Sequence, residues 1–308
     1  MLSRSLLTLS CSVALALACG GDAKKDTKKD TKVEAKTDAK ADPDATKRND
    51  STSLDKAVAS LDLSGAVPPE ASANLFSIDG ALIPIGCFDK AKNKLLAGKD
   101  CLALAKAGEE VYLRDKSEEK LEKFGPVKNP MCQPDPVAVS TAATDAGQAF
   151  EYAVYPKSIA KLFTKVSEES WSERGRGSVT DDEKKALAAL ANAAGDLQVN
   201  QATTFDVDSD GKPDKFASIY MVDPKDSEKY SFSGVFLQRG SDPSRWVSLH
   251  EAKNDTEAHK LLGFVDLNGD KSFEIWINAT TTDGAGGDRV LRLKEGGAEP
   301  LGKWSCGL

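Results

Sequence analysis

Phe205-Asp206-Val207-Asp208-Ser209-Asp210-Gly211-Lys212-Pro213-Asp214 runs into the strand-like stretch Phe216-Ala217-Ser218-Ile219-Tyr220-Met221-Val222. Counting from Asp206, acidic side chains fall at positions 1, 3, 5 and 9, with a glycine at position 6. Carboxylates alternating in a tight turn converge on one point, and oxygen donors so placed suit a hard cation. Sixty residues later the spacing returns as Asp266-Leu267-Asn268-Gly269-Asp270-Lys271-Ser272-Phe273-Glu274, again entering an apolar segment, Ile275-Trp276-Ile277.

Working outward, a strand over Leu197–Phe205 leads into the first loop. Strands over Phe216–Val222, Val235–Gln238 and around Trp246 follow it. After the second loop come strands over Ile275–Ala279 and Val290–Leu293, and then Trp304. From first aspartate to tryptophan is 40 residues in one unit and 38 in the other. A loop, three strands and a tryptophan in the same order twice predict a duplicated β-meander. Each unit has an apolar face it cannot cover alone, so the two are expected to pack together.

Neither loop is an EF-hand. That motif needs flanking helices and a Glu at position 12, where this chain has Ala217 and Ile277, both inside strand-like segments. An acid at position 9 followed directly by a β-rich run resembles the calcium loops of FG-GAP/VCBS repeats, known from bacterial surface proteins and integrin-α-like propellers. The resemblance covers Leu197 to the C-terminus. It implies calcium held by Asp206, Asp208, Asp210 and Asp214 with the carbonyl of Lys212. In the second loop it implies Asp266, Asn268, Asp270 and Glu274 with the carbonyl of Ser272. Loop one offers four carboxylates and loop two three, and position 6 of loop two is Lys271 where Gly permits positive φ freely. Loop one is therefore expected to bind more tightly. Metal-free Asx-turns linking strands are the alternative. A coordinatively filled site would clamp its turn and leave no open position for substrate. Only two repeats are evident, so a full propeller would need the preceding 120 or so residues to supply irregular blades; a separate packing layer is the other expectation for them.

The N-terminus has the three parts of an export signal over residues 1–18: Arg4, the apolar Leu6–Leu17, and the small-residue exit Ala16-Leu17-Ala18. Cys19 follows, then Gly20-Gly21-Asp22. This resembles a bacterial lipoprotein signal, with Ala16 where that family usually has Leu. The resemblance implies a lipid anchor on Cys19, hence a membrane partner and a place in the bacterial cell envelope, with the outer membrane favoured. Ordinary cleavage, leaving Cys19 as a free thiol, is the alternative. Of six cysteines, Cys11 would leave with the signal and Cys19 would carry lipid. Cys87, Cys101, Cys132 and Cys306 remain, an even set able to form two disulfides in an oxidising compartment.

Residues 19–68 form the expected tether. Its core is a degenerate tetrapeptide repeat, from Asp22-Ala23-Lys24-Lys25 to Asp38-Ala39-Lys40-Ala41, with almost nothing apolar to bury, so disorder is expected. Within it, residues 22–50 hold nine Lys/Arg and eight Asp/Glu (+1) and Arg4 adds +1, so of the chain's net charge of −7 the residues after 50 carry −9. An acidic body disfavours nucleic acid and anionic lipid surfaces. After residue 20 no apolar run approaches the ~18–20 residues of a membrane helix.

For residues 69–195 the pattern predicts a β-hairpin from Ala81–Phe88 and Asp100–Ala105, strands over Glu110–Arg114 and Ala149–Tyr155, and a short helix over Ser117–Phe124. Ile159, Leu162, Phe163 and Val166 have helical spacing. Thr180 caps a helix over Asp181–Ala194. Cys87 and Cys101 fall at corresponding hairpin positions, where a bridge is geometrically easy, which would leave Cys132 with Cys306; the other connectivities stay open. The fold class expected is mainly β with a few short helices (β-rich α+β), ending over residues 196–308 in two propeller-blade-like meanders.

Chemistry is hard to find. His250 and His259 lie nine apart without a third ligand and are expected at the surface or as caps. Trp246, Trp276 and Trp304 read as packing before they read as a sugar platform. No nucleophile elbow, P-loop or zinc-protease signature occurs in the sequence. The expected function is a structural or binding module with a protein or glycan partner. A carbohydrate-active or other envelope hydrolase using the loops structurally is the alternative.

Overall fold

The computed structural model describes residues 72–115, 119–130, 137–166, 179–240, 242, 244–282 and 286–306. The expected signal, Cys19, the tether and Cys132 lie outside the described residues, as does the side chain of Cys306, so the second pairing is not addressed.

Among the described residues, seventeen strands build three antiparallel sheets. The first contains β1 (Ala73–Ile78), β2 (Leu82–Asp89), β3 (Lys94–Leu96), β4 (Glu110–Arg114), β5 (Glu119–Lys123), β6 (Val127–Lys128), β7 (Ala138–Val139) and β8 (Tyr152–Tyr155). Its order is β5-β4-β8-β1-β2-β7-β6, with β3 also on β2. A helical turn, α1 (Ala142–Asp145), follows β7. Strand β9 (Phe163–Lys165) leaves this sheet for the third one. Helix α2 (Asp181–Ala191) precedes the second sheet, a four-stranded meander of β10 (Leu197–Phe205), β11 (Asp214–Asp223), β12 (Asp226–Gln238) and β13 (Trp246–Asp255). The third sheet repeats that meander with β14 (Glu257–Val265), β15 (Glu274–Thr281), β16 (Gly286–Lys294) and β17 (Gly297–Cys306), and adds β9 beyond β14. No helix among the described residues is long and apolar enough to cross a membrane.

Alternation along the strands explains the stacking. In β15, Ile275 and Ile277 enter one core and Trp276 the opposite one; Leu291 and Val290 of β16 divide the same way. The third sheet is thus buried on both faces, which is why its strands read as nearly continuous apolar runs. On one side it packs against Leu75, Ile83, Ile85 and Tyr152 of the first sheet. On the other it meets Phe205, Phe216, Val235 and Leu237 of the second. The second sheet's outer face, with Ile219, Phe232 and Phe236, is closed by Leu187 and Ala191 of α2.

Helix α2 starts where Thr180 predicts. The Thr180 hydroxyl accepts from the Glu183 N–H at 3.2 Å, and the Glu183 carboxylate accepts from the Thr180 N–H at 2.7 Å, a reciprocal capping box. It stops at Ala191 and not Ala194, because Asn192 takes the left-handed conformation (φ +44°) that ends a helix.

The bridge between Cys87 and Cys101 is present, with Cα atoms 5.8 Å apart. Its surroundings differ from expectation. Residues Gly98–Leu104 form a 3₁₀ helix and not a strand. Gly98 (φ +54°) turns the chain out of β3, and the Asn74 amide caps the Cys101 carbonyl at 3.1 Å. The helix expected over Ser117–Phe124 is likewise a strand over its described part. Glu-Lys-Leu-Glu-Lys favours helix locally, but β4 offers a complete ladder from Glu110↔Lys123 to Arg114↔Glu119, and pairing overrides propensity. The helical spacing around Ile159 resolves into a 3₁₀ helix, Lys157–Leu162, and then β9, whose ladder on Gly263–Val265 outcompetes another turn.

Because β9 covers only Gly263–Val265, the rest of β14's outer edge needs other partners. Side chains of the second sheet supply them. The Gln201 amide pairs with both the N–H and the carbonyl of Leu261, at 2.7 and 3.0 Å. Ser233 Oγ accepts from the His259 N–H at 2.9 Å, while Ser218 Oγ and Asn200 Nδ2 donate to the His259 carbonyl. The expectation of surface histidines fails for His259, which is 1 % exposed. Its Nε2 faces Arg289 Nη1 at 3.0 Å and its Nδ1 faces Ser233 Oγ at 2.9 Å. A guanidinium only donates, so Nε2 is unprotonated and Nδ1 carries the proton. Burial, then the neighbouring His250 and Arg289, push the His259 pKa down to about 3. The same burial lowers that of His250, whose ring lies 4.6 Å away.

Candidate metal centre

The two acidic loops occupy equivalent places, one joining β10 to β11 and the other β14 to β15. They share one hydrogen-bond circuit. At position 1, Asp206 accepts from the N–H groups of Asp210 (3.0 Å) and Gly211 (2.9 Å); Asp266 accepts from those of Asp270 (3.2 Å) and Lys271 (3.0 Å). At position 5, Asp210 and Asp270 each accept the N–H of position 7, Lys212 and Ser272, at 2.8 Å. At position 9, Asp214 accepts from the Val207 N–H at 3.4 Å and Glu274 from the Leu267 N–H at 3.0 Å. Position 2 is a buried apolar side chain, Val207 or Leu267, that roots each loop in the core.

The backbone explains the residue types. Positions 4 and 6 take positive φ in both loops: Ser209 +56° and Gly211 +84°, Gly269 +74° and Lys271 +69°. Each loop thus has one glycine and one residue that tolerates left-handed geometry at some conformational cost. Lys271 at position 6 does not alter the loop's course.

Carboxylate oxygens of Asp206, Asp208 and Asp210 lie within 4.8 Å of one another. In loop two, Asn268 stands where Asp208 would be, and its Nδ2 donates to Asp270 at 2.7 Å. The position-9 acids close each loop from beneath. Asp214 is 6 % and Glu274 2 % exposed. Burial first, with repulsion from the acids around them, pushes Asp214 up to about 6 and Glu274 up to about 8. Burial raises Asp266 as well. Arg239 reaches Asp208 at 3.8 Å, but among the described residues no cationic side chain pairs with Asp214, Asp266 or Glu274. Arg239 attracts Asp214 only from a distance and does not offset its burial, and buried acids whose direct contacts are amide N–H groups are left under-compensated. Each oxygen keeps lone pairs beyond those the amides use, and carboxylate, amide and carbonyl oxygens fit a hard dication.

The loops also touch one another. Ser209 Oγ donates to the Lys271 carbonyl at 2.8 Å, and the Phe273 N–H donates to the Val207 carbonyl at 2.9 Å. Neither contact is readable from the loops taken singly. No known protein family, curated protein or solved structure matches the chain.

Proposed function

We propose that this chain is a calcium-binding structural or interaction module, exported and lipid-anchored through Cys19 at the bacterial cell envelope. The observation that supports it most is the buried acid at position 9 of both loops, Asp214 and Glu274, lacking a cationic partner among the described residues. A calcium ion held by Asp206, Asp208, Asp210 and Asp214 with the Lys212 carbonyl would compensate the first. One held by Asp266, Asn268, Asp270 and Glu274 with the Ser272 carbonyl would compensate the second, more weakly for want of a carboxylate at Asn268. Each ion would fasten a strand connection in place. The folded body then presents a rigid surface to a protein or glycan, and no catalytic role is assigned to it.

The test is thermal melting of the mature chain in calcium and in chelator. Binding to the folded state alone stabilises by RT ln(1 + [L]/Kd), about 2.7 kcal/mol at a hundredfold excess over Kd. A melting temperature unchanged from chelator to millimolar calcium would overturn the calcium assignment. The anchor is tested separately: Cys19→Ser should move the protein from the membrane to the soluble fraction, and retention on the membrane would refute lipidation.

A further inference from the structure

We infer that the two loops form one coupled unit in which calcium in either strengthens calcium binding in the other; this rests on the calcium assignment above. The argument is the position of the two contacts between the loops. Ser209 lies between Asp208 and Asp210, and its hydroxyl holds the carbonyl of Lys271, which lies between Asp270 and Ser272. Val207 lies between Asp206 and Asp208, and its carbonyl takes the N–H of Phe273, which lies between Ser272 and Glu274. Both bonds therefore join a residue flanked by donors in one loop to a residue flanked by donors in the other.

An ion that fixes the donors of one loop fixes the backbone between them, and through these bonds the backbone between the donors of the second. The second ion then meets a loop already ordered, with less conformational entropy left to lose. Beneath the pair, Phe205 and Phe273 pack edge to face with centroids 4.9 Å apart, and Phe205 stacks on Phe264 at 4.3 Å. The floor under the loops is thus shared. Repulsion between two dications opposes the effect, but four carboxylates in one loop and three in the other leave the doubly loaded pair negative overall. Coupling is reciprocal by linkage, so either loop can act as the first.

The experiment is calcium titration by calorimetry of the mature chain, of Asp270→Ala (loop one alone) and of Asp210→Ala (loop two alone). Each is repeated with Ser209→Gly, which removes the hydroxyl while keeping a residue suited to φ +56°; Gly269 already occupies the equivalent place. The product of the two binding constants of the intact chain should exceed the product of the single-loop constants by about fivefold or more, the low end of known couplings. Ser209→Gly should shrink that ratio when it is taken against the single-loop constants measured in the same Ser209→Gly background. Equal products, or a ratio indifferent to Ser209→Gly, would overturn the coupling while calcium binding stood. Absence of binding in the intact chain and in both single-loop variants would overturn the calcium assignment itself.

Discussion

His259 shows how far a residue's surroundings can depart from its type. A histidine whose pKa is held at about 3 in the fold, against 6.5 in the open chain, is neutral wherever the native state persists. Between those values the unfolded chain binds a proton that the folded chain refuses, so stability rises with pH through this window. Its contribution is fully present above pH 6.5 and is lost as the solution is acidified. About 2 kcal/mol should disappear between pH 6.5 and 5. Urea denaturation of the intact chain and of His259→Gln across that range measures it. The difference between the two profiles removes the carboxylates' shared contribution, and a difference that stays flat would contradict the assignment. Nothing in the local sequence around His259 signals this burial, because the enclosing groups come from β12, β13 and β16.

At the scale of elements, what the sequence made legible is what repeats or alternates. The two acidic loops, the strands they join and the cap on α2 follow from spacing and residue type. Segments decided by a strand partner depart from their local pattern: β5 is captured by its neighbour β4, and β9 by the free edge of the distant β14. The inward polar residues show a middle case. Ser218 shares a strand face with Phe216, and the structure shows it meeting the backbone of β14. Gln201 does the same with two bonds to Leu261. Gln201→Met, which keeps the volume and removes both, leaves a buried N–H and carbonyl unpaired and should cost about 2–3 kcal/mol. Amide exchange at Leu261 should accelerate correspondingly; unchanged stability and protection would show that the seam contributes nothing.

For the whole molecule, the informative quantity is the closeness of sheets that no local pattern connects. Where β17 crosses β2, a Cβ at Gly302 would lie 2.0 Å from the Ile85 carbonyl oxygen. Backbone cannot yield there as a flexible side chain would, so Gly302→Ala must push the first and third sheets apart. A loss of about 1–3 kcal/mol, the usual range for overpacking, or outright failure to fold is expected from denaturation curves, and a variant as stable as the parent would refute the close approach. The sequence shows that Gly302 exists; that this glycine is a point of sheet-on-sheet contact depends on Ile85, more than two hundred residues earlier. The disulfide joining Cys87 to Cys101 staples the same region and, in chain-entropy terms, contributes about 3 kcal/mol for a loop of this size.

The bond from Phe273 to Val207 gives the tandem loops a direction. In this arrangement an N–H at position 8 of one loop meets the carbonyl at position 2 of the loop before it. Loop two does so, but position 8 of loop one is Pro213, and proline has no N–H to give. The series is therefore terminated at its upstream end, like a polymer carrying a blocked end group. A further unit joined by the same bond could be added only downstream, donating to the Leu267 carbonyl of loop two.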